Sequence, residues 1–556
     1  MSQGGGGSRV PWVLGSCLAA LFVAIPVGVV LASVFRSSDG EWSHLAQTRL
    51  GLYASNTAIL ALSVCALAAV FGISTAWLVT MHRFPGRRLL SWALLLPLAV
   101  PAYLSAYALT DLLQFSGPLQ TWMRETFNLQ AGEYWFPDMR TLGGAITVLA
   151  FALYPYVYFA ARIAFLEQSR SALEASRTLG RGPFRTFLTV AIPLARPALI
   201  GGLLLVLMET VADFGAVDYC AVDTFATGIY RTWFGLESQI AASQLSALLL
   251  SVLFLVIGVE WMLRRSNRYH RTAVRCSQPQ ATRLGPVAGL LAMFLCLVPV
   301  TIGFLLPAGR LLDLALFQGD SRASEVLAEL VWTSAMLGII AAVIALILAM
   351  VLGYARRIRP NALTGLASGI SRSGYAIPGP VIAIGVLVSL GWADHRINDV
   401  STSMFGDEAR TGLIFTGSIL ALIIGYQTRF LAVSLSFVES SLLRIHRNLD
   451  DAARTLGVGP AKAFLGIHLP LIRTGLIAGG LLVFVDVVKE LPMTLMLRPF
   501  NLDTLAVRVY QLASDERLEE ASTAALAIIL VGFIPVILLS RLIERNRKSH
   551  QLKELR

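Results

Sequence analysis

The chain is poor in charged residues. Only 14% of its 556 residues are Asp, Glu, Lys or Arg, whereas 56% are hydrophobic, and a soluble domain carries about 25% charged residues. A soluble protein of this length would still need a polar exterior. The alternation of apolar and polar residues that a transmembrane β-barrel requires is also missing. The composition therefore excludes an ordinary soluble fold and favours an all-α membrane protein.

The residue types that build metal, disulfide and nucleotide sites are also scarce. The five cysteines are scattered without a CxxC pair, and the seven histidines lie outside the apolar blocks, so we expect no zinc site, disulfide framework or intramembrane histidine relay. No GxxxxGK(S/T) pattern occurs, so no phosphate-binding loop is predicted. We therefore expect no catalytic residue, no firmly bound metal and no cofactor on this chain.

The sequence does contain a series of apolar blocks, each near the ~20 residues that cross a bilayer as a helix. The first block is longer than the apolar part of a signal peptide and lacks a small-residue cleavage site, so we interpret it as a retained helix. The predicted spans, about twelve, are 11–35, 56–81, 89–113, 143–166, 197–215, 240–263, 284–308, 331–354, 373–392, 411–435, 474–497 and 520–541.

Basic residues concentrate in alternate loops, as they do on the cytoplasmic side of membrane proteins. With the N-terminus inside, the inside segments hold most of the 45 Lys and Arg but few of the 34 Asp and Glu. We therefore predict a multi-pass membrane protein with both termini cytoplasmic, and we attribute the net charge to this bias, not to nucleic-acid binding. The inside segments are 82–88, 162–196, 264–275, 356–359, 429–473 and 541–556.

The chain contains an internal repeat. Residues 174–213 align without a gap to 451–490, and NTAILAL at 56–62 resembles TSAMLGI at 333–339. An even number of crossings per half gives a parallel repeat, and transport pathways form between such halves. The predicted parts are a tail (1–10), a first half (11–263, core 54–263), a basic linker (264–283), a second half (284–541, core 331–541) and a basic tail (542–556).

The same loop of each half carries an acidic residue followed by alanine, a glycine five residues later and a hydrophobic residue followed by proline. This pattern predicts a short helix, a glycine in a left-handed turn and an amphipathic stretch before the next crossing. An ordinary turn has a similar composition, but its occurrence in both halves favours a docking element. The residues are Glu174, Ala175, Gly180 and Pro193 in the first half and Asp451, Ala452, Gly457 and Pro470 in the second.

The doubled pattern resembles the EAA loop of permease subunits in binding-protein-dependent ABC importers of the type I fold. The resemblance implies that fold, a location in a bacterial inner membrane and three partners: a dimer of ABC ATPase subunits that receives the short helix, a periplasmic substrate-binding protein and the lipid bilayer. ATP and Mg²⁺ would then be bound by the ATPase. Asp451 in place of Glu and Ser176 in place of Ala depart from the pattern but keep its acidic or small character.

Longer stretches resemble the fused ferric-iron permeases, with the fused thiamine permeases as near relatives. They are LPLAVPAYLSAYALTDLLQFSGPLQ (96–120), METVADFGAVDYCAVDTFATGIYRTWFG (208–235) and VKELPMTLMLRPFNLDTLAVRVYQLASDE (488–516). This resemblance implies import of ferric iron, with thiamine or another small solute as the alternative. A proton-coupled secondary transporter also has six-plus-six parallel halves, but the doubled loop argues against it, and against a membrane scaffold that transports nothing.

Four acidic residues of the repeat fall within predicted spans. Glu209 and Asp213 are one turn apart on the fifth helix, and their repeat partners are Asp486 and Glu490. Ionisable groups inside a membrane are costly and mark functional sites, and carboxylates suit a hard cation such as Fe(III). We predict that the four acids line a translocation pathway; the alternative is that Asp213 and Glu490 lie near the outer surface and only reach water.

Prolines interrupt the third and ninth predicted helices. Pro97 and Pro101 fall in the third, and Pro378 and Pro380 fall in the ninth. Proline lacks a backbone donor and kinks a helix. We therefore predict a kink in each helix, either as part of a gate or as an ordinary kink of a membrane helix.

Overall fold

A computed structural model describes residues 10–36, 40–130, 133–168, 175–176, 178–180, 182–266, 282–317, 323–406 and 410–554. Its secondary structure is almost entirely helical, as the apolar blocks predict. The first α-helices are α1 (Val10–Ala32), α2 (Glu41–Thr48), α3 (Leu50–Met81), α4 (Arg87–Ala93), α5 (Ala102–Leu113), α6 (Pro118–Phe127), α7 (Leu142–Leu166), α8 (Pro183–Thr186), α9 (Ile192–Ala212), α10 (Gly215–Tyr219), α11 (Phe225–Phe234) and α12 (Gln239–Ser266).

The remaining α-helices are α13 (Pro286–Val300), α14 (Leu306–Phe317), α15 (Ala323–Ile358), α16 (Ala362–Ser373), α17 (Gly379–Phe405), α18 (Ile419–Leu443), α19 (Asn448–Thr455), α20 (Pro460–Ala463), α21 (Leu469–Lys489), α22 (Pro492–Leu497), α23 (Leu505–Ser514) and α24 (Leu518–Glu554). Short 3₁₀ helices are Ser33–Phe35, Leu96–Ala99 and Gly374–Ala376, and π turns are Phe187–Ala191, Thr301–Leu305 and Phe464–His468. Two short strands, β1 (His82–Arg83) and β2 (Thr282–Arg283), pair in parallel.

Eleven of the described helical segments are long and apolar enough to cross a membrane, and a twelfth results if one bent pair counts as a span. That pair, Arg87–Ala99 with Ala102–Phe127, bends by 96°. Pro101 lies at the break with a ψ of 144° and directly precedes α5. Pro378 takes the same position, with a ψ of 141°, before α17. The break in each helix is therefore confirmed at these two prolines.

The fifth and eleventh spans begin earlier than predicted, at Phe184 and Pro460 instead of 197 and 474. A π turn in each half joins the short loop helix to the membrane helix without a break. Single π turns inside α-helices are frequent at functional sites. The loop between the fourth and fifth spans is therefore continuous with the helix that crosses the membrane.

One compact unit combines the first helix with most of the second repeat. It contains the described parts of residues 1–48, 228–253 and 324–510. The ring of Trp12 lies 4.8 Å from that of Tyr354, and the Thr428 hydroxyl donates to the Phe22 carbonyl at 2.7 Å. A Cβ at Gly385 would lie 2.5 Å from the carbonyl oxygen of Pro26, so this close contact requires glycine.

The other compact unit contains the described parts of residues 49–227, 254–323 and 511–556. Here α13 and α14 pack on the first repeat. Arg310 Nε lies 2.6 Å from Asp111 Oδ2, and a Cβ at Gly303 would lie 2.5 Å from the Phe151 carbonyl oxygen. The two predicted halves follow the duplication of the sequence and stay a prediction. Each compact unit, in contrast, contains residues of both repeats.

Candidate functional site

The loop of the second half has the predicted helix and turn. Asp451 and Ala452 are exposed on α19, and Gly457 ends the helix with a φ of +73°. The N–H of Leu456 bonds to the Ala452 carbonyl at 3.1 Å, and Val458 N–H closes the turn onto Ala453 at 2.9 Å. These bonds satisfy carbonyls at the helix end. The left-handed glycine predicted here is confirmed.

The loop of the first half has the same turn in its described residues. Glu174 lies outside them. Ala175 is exposed, its carbonyl accepts from Leu179 N–H at 3.2 Å, and Gly180 has a φ of +78°. No atom of the described residues lies within 4 Å of a Cβ added at Gly180 or Gly457. Glycine is therefore required by the backbone conformation and not by a lack of space for a side chain.

The hydrophobic-proline pairs begin the membrane helices. Pro193 and Pro470 lie in the first turn of α9 and α21, directly after the π turns. Proline has no N–H to donate to the preceding turn, and the helix nevertheless continues through the π turn before it. Each π turn joins the loop helix to the membrane helix, so the proline does not interrupt the helical path.

An exposed leucine precedes each turn glycine, and the pattern-based prediction missed both. Leu179 and Leu456 are each 80% exposed and occupy equivalent positions of the repeat. A single exposed leucine is ordinary on a protein surface. The alignment of the two repeats already shows a large apolar side chain at the same turn of both halves. The two leucines are therefore candidates for contact with a partner protein.

A charged network anchors α19 in the second half. Arg357 Nη2 and Nε donate to Asp450 Oδ2 at 2.7 and 3.0 Å, and Arg357 also donates to the carbonyl of Ile445. His468 Nε2 lies 2.9 Å from Asp450 Oδ1. His468 is fully buried in the π turn of the eleventh span, so the expectation that the histidines lie outside the apolar blocks is wrong there.

Neutral contacts anchor the equivalent loop of the first half. Gln168 donates to the carbonyl of Ala191, the repeat partner of His468, at 2.7 Å. The hydroxyls of Ser176 and Thr186 lie 3.0 Å apart in a buried position. The described residues of the two loops therefore share the glycine turn and the π turn and differ in their side-chain anchors.

Aromatic packing under the π turns is retained in both halves. The rings of Trp77 and Phe187 lie 4.9 Å apart, and those of Tyr354 and Phe464 lie 4.7 Å apart. Such ring pairs add to the burial of their apolar area. They tie the second and eighth spans to the segments that follow the loops.

Asp213 and Glu490 do not lie on the membrane helices. These helices end at Ala212 and Lys489, and both acids have extended ψ angles, 130° and 124°. The prediction that the two acids of each pair lie one turn apart on the same helix is therefore wrong. The physical reason is capping: Asp213 Oδ1 accepts the N–H groups of Ala216 and Val217 at 3.0 and 3.1 Å, which a continuing helix would not offer.

Glu490 caps the next short helix in the same way and is held more firmly. Its Oε1 accepts Met493 N–H at 3.0 Å, and its Oε2 accepts the N–H and hydroxyl of Thr494 at 2.8 and 2.6 Å. Arg429 Nη1 lies 3.7 Å from Oε1, and Tyr426 contacts the Thr494 hydroxyl at 2.8 Å. Glu490 is 6% exposed, so it does not simply reach water.

Glu209 and Asp486 remain inside the helices, in the last turns of α9 and α21, where both are half-buried. The charge of Lys489 interacts with Asp486 on the same helix. Among the described residues no group of three or more His, Cys, Asp or Glu side chains is placed to hold a metal ion. The pathway role of the four acids stays a prediction.

Comparison with known proteins gives two family matches along the chain. The family described as "Binding-protein-dependent transport system inner membrane component" matches residues 68–269 and 363–549. The Fe(3+)-transport system permease protein of Haemophilus influenzae is 25% identical over 507 residues, which are 89% of this chain and 91% of that protein.

Other relatives align with part of the chain only. A probable sulfate transport system permease protein of Nephroselmis olivacea is 29% identical over 37% of this chain and 70% of its own length. The molybdenum transport system permease protein of Escherichia coli is 30% identical over 32% of this chain and 71% of its own length. Partial coverage of this kind is expected when one repeat aligns with a permease that is not duplicated.

Proposed function

The chain belongs to the family of inner membrane components of binding-protein-dependent transport systems, and on that premise we propose that it imports ferric iron. It is a transport permease of the type I ABC fold, not an enzyme, and its family segment occurs twice in one polypeptide. The iron proposal rests on the similarity to the Fe(3+)-transport system permease, because the alignment covers 91% of that relative's length.

The two loops are the proposed docking elements for a dimer of ATPase subunits. Each has exposed residues before a glycine turn and a helix that continues through a π turn into the membrane, which is what transmission of a movement requires. ATP and Mg²⁺ belong to the ATPase in this proposal, and this chain binds no cofactor. A periplasmic binding protein delivers the ion to the opposite face.

The acidic residues near the end of each membrane helix favour a cation as the transported substrate. Glu209 and Asp486 lie one turn before the capping acids Asp213 and Glu490, so carboxylate oxygens are concentrated where both membrane helices end. Carboxylates in a passage of low dielectric repel one another, and a transiting cation relieves that repulsion. Hard oxygen ligands suit Fe(III).

An oxyanion is the second candidate substrate, because of the names of the partial relatives and because positively charged side chains accompany the acids. The partial relatives are named for sulfate and molybdenum. In the second half Arg429 lies beside Glu490 and Lys489 beside Asp486. These cations partly offset the acids, which an anion would favour. Thiamine, the alternative from the fused permeases, is tested alongside.

The deciding experiment is uptake into proteoliposomes that contain the permease, its ATPase and its binding protein. Radiolabelled ferric iron, sulfate, molybdate and thiamine are supplied separately, with and without ATP inside. We expect ATP-dependent uptake of iron alone. ATP-dependent uptake of sulfate or molybdate without iron uptake would refute the iron proposal and leave the permease function intact.

The proposed orientation places both termini and the two docking loops in the cytoplasm. Single cysteines in a cysteine-free chain test it. We expect a membrane-impermeant maleimide to label Trp135→Cys and Phe500→Cys in intact cells, because these side chains are 86% and 95% exposed. Leu179→Cys and Leu456→Cys should react only after permeabilisation. The opposite pattern would invert the orientation.

A further inference from the structure

A cavity of about 630 Å³ lies in the unit built on the first repeat, between the end of α3, the start of α4 and the end of α7. Ser91 and the apolar Leu89 contribute to its wall. No Asp or Glu is among the described residues that line it. Its basic lining consists of Arg83, Arg87, Arg88 and Arg162.

Neutral acceptors orient two of these arginines. Arg87 Nε donates to the Val79 carbonyl at 2.6 Å, and Arg162 Nη1 donates to the carbonyl of Ser91 at 2.6 Å. Carbonyl oxygens direct a guanidinium without cancelling its charge. Arg83 and Arg88 are exposed at the rim. The cavity therefore concentrates positive charge around a space large enough for a ligand.

The second repeat shows what occupies the equivalent position there. In the register that aligns 174 with 451, Arg162 corresponds to Glu439 and Ser91 to Ser368. Glu439 accepts from the Ser368 hydroxyl at 2.6 Å and forms ion pairs with Arg356 and Arg372. The second repeat thus supplies a carboxylate of its own to its arginines, and the first repeat has an arginine in that place.

We propose that the cavity of the first repeat binds the phosphate of an anionic phospholipid headgroup. Guanidinium groups match the geometry of phosphate oxygens, and basic pockets between transmembrane helices on the cytoplasmic side take such headgroups. The cavity lies at the end of α7 that leads into the docking loop. Leu89, 68% exposed at the wall, offers an apolar surface to an acyl chain.

Native mass spectrometry of the full-length, delipidated protein in neutral detergent tests the site. Cardiolipin, phosphatidylglycerol and phosphatidylcholine are titrated separately. We expect the variant R83Q/R88Q to bind the two anionic lipids about 10- to 30-fold more weakly than the unmodified protein. Phosphatidylcholine binding should not change. R359Q is the matched control, because Arg359 is an exposed arginine in the equivalent loop of the second repeat.

A second variant copies the other repeat. R162E places a carboxylate among the arginines and should remove anionic lipid binding. R83Q/R88Q decides the matter even if R162E does not fold, since both rim side chains are exposed. Equal binding of anionic lipid by R83Q/R88Q and the unmodified protein would overturn the site. Displacement of bound lipid by inorganic phosphate at equal concentration would overturn the lipid assignment in favour of a free anion.

Discussion

The described parts of the two proposed docking loops share a glycine turn and a π turn and differ in the side chains that hold them. Gly180 and Gly457 both adopt positive φ, and a π turn follows in each half. In the second half Asp450 links Arg357 and His468. Among the described residues of the first half, neutral hydrogen bonds hold the loop.

This difference distinguishes the features that both repeats retain from the side-chain contacts that differ between them. A glycine turn and a continuous helix path are retained in both, as expected if they transmit a movement. The anchors have diverged because a buried ion pair and a set of neutral hydrogen bonds can both hold a short helix in place. We expect the two loops to tolerate substitution differently.

The largest effect should come from removing the acidic anchor. Asp450→Leu, which copies the residue at 173, leaves Arg357 only 11% exposed without its carboxylate. Breaking a buried pair in this way costs about 3–5 kcal/mol, measured as a loss of unfolding free energy in detergent. Asp451→Leu is the control: its pair with Arg454 is exposed and is worth less than about 1 kcal/mol. Equal losses would contradict the distinction.

The glycine turns come next. A β-branched residue at positive φ costs about 1–3 kcal/mol, so Gly180→Val with Gly457→Val should abolish ATPase binding while the permease remains in the membrane. We expect Gly457→Val alone to be more harmful than Gly180→Val, because the charged anchor leaves its loop less room to adjust.

Control substitutions for this prediction lie two residues further on. Gly182 and Gly459 also have open space around a Cβ, but neither has positive φ. Gly182→Val and Gly459→Val should therefore retain ATPase binding, which co-purification with the ATPase measures. Loss of binding in the controls would show that the loops respond to bulk and not to the left-handed turn.

The capping acids should show a smaller difference between the repeats. Glu490→Gln loses a charge that is buried and faces Arg429 and two backbone N–H groups, whereas Asp213→Asn loses one that is only half-buried at its capping position. We expect Glu490→Gln to cost about 1.5–3 kcal/mol of unfolding free energy and Asp213→Asn to cost less. The reverse order would place the firmer cap in the first half.

The exposed leucines should matter only to the partner. Leu179→Ala and Leu456→Ala remove side chains that are 80% exposed, so the unfolding free energy should change by less than about 0.5 kcal/mol. If the ATPase buries them, its affinity should fall by about 1–2 kcal/mol for each leucine. Binding of the ATPase to the immobilised permease measures this. Unchanged affinity in the double variant would remove them from the interface.

The smallest effect is expected for the acids that remain inside the helices. Glu209→Gln with Asp486→Asn keeps size and removes charge, so iron uptake per assembled complex should slow by about threefold, or roughly 0.7 kcal/mol in the barrier. Assembly with the ATPase and basal ATP hydrolysis should persist. Unchanged normalised uptake would exclude both acids from the pathway, and a loss of folded complex would assign them a structural role.

Several features were predictable because they are local. The span length follows from the thickness of a bilayer, the break at Pro101 from a missing N–H, and the turn at Gly457 from the φ that only glycine adopts without strain. The duplication placed each of these twice, which made the docking loops recognisable from their spacing.

The sequence by itself determined the all-helical membrane class, the two repeats and the glycine turns. Only the tertiary structure decided that Glu490 caps the next helix, that His468 is buried against Asp450, and that α1 packs within the unit of the second repeat. The physical reason is range. Helix length and backbone dihedrals depend on neighbours in the chain, whereas burial and ion pairing depend on partners far away in it, and no local pattern identifies those partners.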